Sequence, residues 1–339
     1  MIERPQVFGS DYIPKIVCRD AEKQALKTVL SPITDGERAN DAILHGPTGT
    51  GKTATIRYML AELDRVGSHF QSAYVSCVTA DDKREIMLDV VEPLVANPAR
   101  LESKSKTGLV RELCNAVDRP YVVVVDEADC LADSELSVLY DLYETAGVSV
   151  VLVINDRTAF LGGLRDRFNS RFAGAREIEF DSYTEDELAT IVKQRARDGL
   201  RGGIDDEAVG TIAAVADNAR IAIAFLETAA RSVHGGRITA TDIVEAVPDA
   251  YEQLRERALS RLGTSHQRVF TIVEQHGPVS TSDVRERYAD VTGDKLGRTT
   301  IYRYLQKLME YDCIEANGET KGTQYRMKEI PGGVPEGSL

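Results

Sequence analysis

The sequence has no apolar run approaching the roughly 18 residues that a membrane-spanning helix needs, so no membrane partner is expected. Its opening, MIERPQVFGSDYIPK, lacks the basic-then-apolar pattern of a secretory leader, and a cytoplasmic protein is the expectation. Cysteine is sparse. Cys18, Cys77, Cys114, Cys130 and Cys313 stand singly, with no CxxC pair, which argues against a zinc site or a disulfide framework and for buried free thiols. Lysine is sparse as well: 12 of the 41 basic residues, against 54 Asp and Glu, at a net charge of −13. That balance is wrong for a chain basic all over, as a nucleic-acid binder could be. It is uneven, however. Residues 264–330 hold ten basic and ten acidic residues, and the rest of the chain holds 31 and 44. An acidic, lysine-poor surface suits a cytoplasm of very high salt, where the Debye length falls to about 3 Å at 1 M; a halophilic source is expected. The 339 residues correspond to two or three domains.

What is present begins with HGPTGTGKTATI, His45–Ile56: a Gly, four residues, then Gly-Lys-Thr. DAIL before it reads as a strand, and KTATIRYMLAELDRV after it has helical spacing. Gly46, Gly49 and Gly51 allow backbone N–H groups to approach phosphate oxygens, and Pro47, Thr48 and Thr50 complete the loop. Lys52 is placed for β/γ-phosphates and Thr53 for Mg²⁺. ATP or ADP with Mg²⁺ is the implied cofactor. Downstream, PYVVVVDEAD carries four valines of a strand buried on both faces, ending in acids. Asp126 is expected to hold Mg²⁺ through water, and Glu127 to polarise the attacking water. Asp129 reads as a helix cap. Asn155 ends the next strand, GVSVVLVIND, where an amide can reach a γ-phosphate.

Further strands, SAYVSCV and AREIEFDSY, with helices between them, predict an open parallel α/β sheet over residues 1–181. The β signal then stops. Residues 182–262 read as an all-helical lid that opens with a capping box, Thr184 and Glu187. Arg220 stands at the start of an apolar helix there, placed to swing onto a γ-phosphate. Arg165, Arg167 and Arg171 are candidates for an arginine finger serving a neighbouring subunit. Residues 263–330 give three helices and two short strands, a winged helix, and residues 331–339 read as a disordered tail. In GRTTIYRYLQKL, Ile301, Leu305 and Leu308 form the inward stripe, leaving Arg298, Thr299, Thr300, Arg303 and Lys307 for an outer face that fits a major groove. Lys321, Gln324 and Arg326 in the wing reach the flanking backbone or minor groove. Protein contacts are the other use of such a module.

The order of these motifs resembles the AAA+ ATPases, and most specifically the archaeal Orc/Cdc-type replication initiators. The resemblance runs over about residues 10–330 and is carried by GPTGTGKT, VVVVDEADCL with LYDLYE, VLVIND, RFNSRF with IEFDSYTEDELATIVKQRA, and the C-terminal module. It implies that Asn155 is sensor 1, Arg220 sensor 2, and Arg167 the finger, with Arg171 second. It implies that DYIPKIVCRDAE, with Arg19, packs over the adenine, and that the segment from Thr79, with Lys104 and Lys106, touches duplex DNA. Asp217-Asn218-Ala219-Arg220 departs from the family's usual Gly-Asp-Ala-Arg. The function implied is an ATP-dependent, origin-binding initiator with weak, switch-like ATPase activity, with a replicative helicase and its own copies as partners. Two alternatives stay open: a DNA motor of the branch-migration type, and an ATP-gated transcription regulator.

Overall fold

The computed structural model describes residues 1–9, 12, 15–67, 69–80, 82–131, 135–163, 172–318 and 322–329. Arg165, Arg167, Arg171, Lys321 and the tail from residue 331 lie outside the described residues.

The runs of valine build the sheet. Strands β1 (Ala42–His45), β2 (Gln71–Ser76), β3 (Tyr121–Asp126), β4 (Val148–Ile154) and β5 (Arg176–Glu179) are all parallel, in the order β2-β3-β4-β1-β5. Because strand side chains alternate between faces, each valine run serves two cores. Val122, Val124, Val151 and Val153 point to the face that also buries Leu26, Leu30 and Ile56, from α1 (Asp20–Leu30) and α2 (Lys52–Arg65). Val123, Val125, Val150 and Leu152 point to the opposite face, with residues of α3 (Lys83–Val91), α4 (Lys106–Ala116) and α5 (Ser137–Glu144). A short α6 (Arg157–Gly163) follows β4. The register sets His45 beside Ile154 and Asp126 beside Val153, so the carboxyl ends of β1, β3 and β4 stand side by side. In open α/β sheets that edge is where ligands bind.

The chain divides into two compact units, residues 13–182 and residues 1–12 together with 183–339. The second unit holds α7 (Glu185–Gly199), α8 (Asp206–Val215), α9 (Ala219–Ser232) and α10 (Ala240–Arg261). The capping box of Thr184 and Glu187 opens α7. The first residues correct the domain boundary read from sequence. Val7 and Phe8 are buried with the lid helices, not with the α/β sheet. Arg195 donates to the Val7 carbonyl at 2.7 Å, and Phe8 packs where Gly199 leaves no room for a side chain.

The last segment runs α11 (Thr264–His276), β6 (Val279–Ser280), α12 (Thr281–Thr292), α13 (Arg298–Glu310), β7 (Ile314–Asn317) and β8 (Gln324–Met327). Its strands form an antiparallel sheet in the order β6-β8-β7. This is the element order expected of a winged helix, with β6 added to the two strands read from sequence. All five cysteines are free thiols, but only Cys77 and Cys313 are buried; Cys114 is exposed and Cys18 and Cys130 lie between, a correction to the expectation of buried thiols.

Candidate nucleotide-binding site

The loop between β1 and α2 needs its glycines. Gly46, Gly49 and Gly51 have φ of 140°, 78° and 89°, in the range L side chains avoid. A Cβ on Gly46 would lie 2.1 Å from the Phe180 carbonyl oxygen. The loop thus lies directly on the backbone that follows β5. Thr50, buried, donates its hydroxyl to the Pro47 carbonyl at 2.9 Å. Gly51 caps α2, whose free N–H groups and positive dipole end face the loop.

Four predicted residues meet at this helix end. The buried Lys52 ammonium donates to the Pro47 carbonyl at 2.8 Å and to Asn155 Oδ1 at 3.1 Å, and also to the Gly46 carbonyl. Thr48 reaches the same Asn155 oxygen at 3.5 Å. Thr53 Oγ1 donates to Asp126 Oδ2 at 2.8 Å. Asp126 is buried at the end of β3, and burial pushes its carboxyl up, against hydrogen bonds from Tyr74 and Thr53 that favour the charged form. Glu127 follows in a left-handed conformation, φ 55°, and its N–H donates to Asp126 Oδ1 at 2.9 Å. Arg19 is 4% exposed, and its guanidinium is spent on the chain itself. It donates to the carbonyls of Thr50 and Asp181, pairs with Glu22 at 3.1 Å, and stands 5.7 Å from the Phe180 ring centroid. It braces the loop from beneath.

The sequence reading missed Tyr74 and gave Asp129 another role. Tyr74 on β2 donates its hydroxyl to Asp126 Oδ2. Asp129 is no helix cap. Its Oδ2 accepts the backbone N–H of Asn155 at 2.9 Å and so holds the end of β4 against the turn after β3.

Residues 15–154 match the AAA ATPase domain family. The chain is 33% identical over 303 residues to ORC1-type DNA replication protein 1 of Halobacterium salinarum, covering 87% of this chain and 97% of that one. The chain belongs to the ORC1-type DNA replication protein family. ORC1-type DNA replication protein 9 of the same halophile is 29% identical over 338 residues, covering 96% of this chain and 94% of that one. In fold, the chain matches the Aeropyrum pernix ORC1 protein solved in complex with DNA, with a TM-score of 0.75, 23% identity, and coverage of 96% of this chain and 94% of that one.

In this ORC1-type chain the exposed stripe of α13 differs from the one expected. Arg298 and Thr299 are exposed, as predicted, and so is Tyr302, at 47%. Thr300 and Arg303 are half-buried, and Arg303 Nε is shielded from solvent. Lys307 is not on the outer face at all. It is 3% exposed, paired with Glu310 at 3.0 Å and stacked 5.1 Å from the Tyr311 ring centroid. A stripe drawn from Ile301, Leu305 and Leu308 misses this because the Lys307 ammonium folds back onto Glu310 and Tyr311 at the end of the helix. From the lid, Arg220 lies 5.2 Å from that same ring centroid, donates to the Glu310 carbonyl at 3.3 Å, and comes within 3.7 Å of Asp312. In the wing, Gln324 is exposed, and Arg326 pairs with Glu315 at 2.6 Å and Glu329 at 3.3 Å. On the ATPase unit, Lys104 pairs with Glu112 at 2.8 Å and Lys106 with Glu135 at 3.5 Å.

Proposed function

We propose that this chain is an ATP-dependent initiator that binds duplex DNA at replication origins and uses ATP binding and slow hydrolysis as its switch. The observation that carries the reading is the meeting of Lys52, Thr53, Asp126 and Asn155 at the N-terminus of α2, in a chain of the ORC1-type family. Lys52 turns from loop carbonyls to the β/γ-phosphates, and the N–H groups of residues 48–51 cradle them. Thr53 and Asp126 offer hard oxygen donors 2.8 Å apart, a set that suits Mg²⁺, which takes few protein ligands and keeps water. Mg²⁺ bound there would neutralise charge on the β- and γ-phosphates. Glu127 orients the attacking water, and Asn155 binds the γ-phosphate. Arg220 answers to the γ-phosphate from the lid, and Arg167 or Arg171 serves the nucleotide of a neighbouring copy. Arg19 keeps the loop in shape beside the adenine. Arg298, Thr299 and Tyr302 supply the groove face of α13, with Thr300 and Arg303 at its margin and Lys321, Gln324 and Arg326 in the wing. A replicative helicase and further copies of the chain are its protein partners, in a cytoplasm of high salt.

The test is a pair of variants and one map. Lys52→Ala is expected to lose most nucleotide affinity; Glu127→Gln is expected to keep ATP and lose hydrolysis. Parental hydrolysis in both would remove the site. Footprinting across the source genome is expected to show one intergenic cluster. Occupancy of many promoters would instead favour a regulator, and strong stimulation of turnover by random duplex a motor.

A further inference from the structure

Asp126 is gripped by a residue outside the expected set. Its Oδ2 takes two hydroxyl donors, Thr53 Oγ1 and Tyr74 OH, while Oδ1 takes the Glu127 N–H. Thr53 is one turn from Arg57 on α2, and residues four apart share a helix face. The Arg57 guanidinium stands 5.5 Å from the Tyr74 ring centroid, a cation over an aromatic face. Helix α2 therefore reaches Asp126 twice, directly through Thr53 and indirectly through Arg57 and Tyr74.

Tyr74 sits on β2, an edge strand, beside a surface depression of about 430 Å³ lined by Arg57, Asp64, Phe70 and Val124. The residue is 43% exposed. A tyrosine at an edge-strand surface would ordinarily give its hydroxyl to water. This one spends its hydroxyl on a buried carboxylate.

We propose that Tyr74 is a positioning residue for Asp126. It fixes the carboxylate in the orientation from which the nucleotide's Mg²⁺ is held, and Arg57 keeps the phenol ring in register. The inference rests on the nucleotide reading above and extends it to the layer behind the metal ligands. Partners of that kind set metal affinity by about 10- to 100-fold.

The experiment measures ADP binding by calorimetry on the full chain, in EDTA and across a Mg²⁺ titration. Tyr74→Phe removes only the hydroxyl and keeps the ring under Arg57. It is expected to bind ADP in EDTA as the parent does, and to need about tenfold more Mg²⁺ for half of the metal-dependent gain in affinity. Arg57→Gln, which leaves the hydroxyl in place, is expected to shift the midpoint the same way by less. An unchanged midpoint in Tyr74→Phe overturns the proposal. If that variant does not melt cooperatively, an unchanged midpoint in Arg57→Gln overturns it instead. Failure of the nucleotide reading looks different: the parent itself would bind no ADP, and Lys52→Ala would match it.

Discussion

The carboxylate of Asp129 accepts the backbone N–H of Asn155 at 2.9 Å. One bond thus joins the turn that carries Glu127 to the strand end that carries the amide facing Lys52. Asp129→Ala leaves that N–H without its acceptor, at a cost of about 1–3 kcal/mol. Asp129→Asn keeps an acceptor oxygen in place. Chemical denaturation should rank parent, Asn and Ala in that order, and single-turnover ATP hydrolysis should fall in the same order.

Gly46 and Gly36 offer a paired test of the loop. Both have positive φ, 140° and 76°, but nothing lies within 4 Å of a Cβ on Gly36, whereas a Cβ on Gly46 meets the Phe180 carbonyl. Gly36→Ala should cost about 1 kcal/mol of backbone strain. Gly46→Ala adds a backbone clash, so the loop must move. It should lower Tm further and abolish nucleotide binding, which Gly36→Ala should leave intact.

Glu227 is buried in α9 between Arg231 at 2.6 Å and Arg257 at 2.8 Å. Burial alone would raise its pKa, but the hydrogen bonds from Arg257 and Arg231 outweigh that and hold it below the usual carboxylate value. A carboxyl depressed on folding contributes stability that is complete above its unfolded pKa, about 4.3, and is lost as pH falls through the folded value. The Tm gap between the parent and Glu227→Gln should therefore be constant from pH 7 to about 5 and should narrow below about 4. A gap that widens with acid would reverse the assigned sign.

Arg298 and Lys307 should part company in DNA binding. A base-reading arginine is worth about 1–3 kcal/mol on its own site only. Arg298→Ala should lower the ratio of specific to random affinity by that amount, and Tyr302→Ala should lower it as well. Lys307→Ala should leave the ratio alone and lower Tm, since it removes a buried cation bonded to Glu310. The measurements belong at native salt, because at low salt non-specific attraction masks the ratio.

The nucleotide loop was legible because its requirements are local. Glycines at fixed offsets, a lysine and a threonine at a helix start, and valines ending in acids each follow from backbone conformation or strand burial within a few residues. Asn155 was legible for the same reason, as the end of an apolar strand. Tyr74 and Asp129 were not, because each acts across the sheet on a partner 52 or 26 residues away. Lys307 was misread because an apolar stripe gives no sign that a lysine will fold back onto Glu310 and Tyr311 at the end of its own helix. The N-terminal boundary failed likewise: Val7 and Phe8 are too few to show a period, and their burial depends on α7, some 180 residues later. The acidic, lysine-poor composition agrees with relatives from a halophile.

Helix α13 has two ends with different attachments. Arg298 is exposed at its start; at its finish the Lys307 ammonium and the Arg220 guanidinium of the lid both stand close to the Tyr311 ring centroid, at 5.1 Å and 5.2 Å. Thirteen residues at about 1.5 Å each make it a rod of about 20 Å. It is a rod exposed at one end and clasped at the other, where the arginine that starts α9 and a lysine of its own last turn share one aromatic ring.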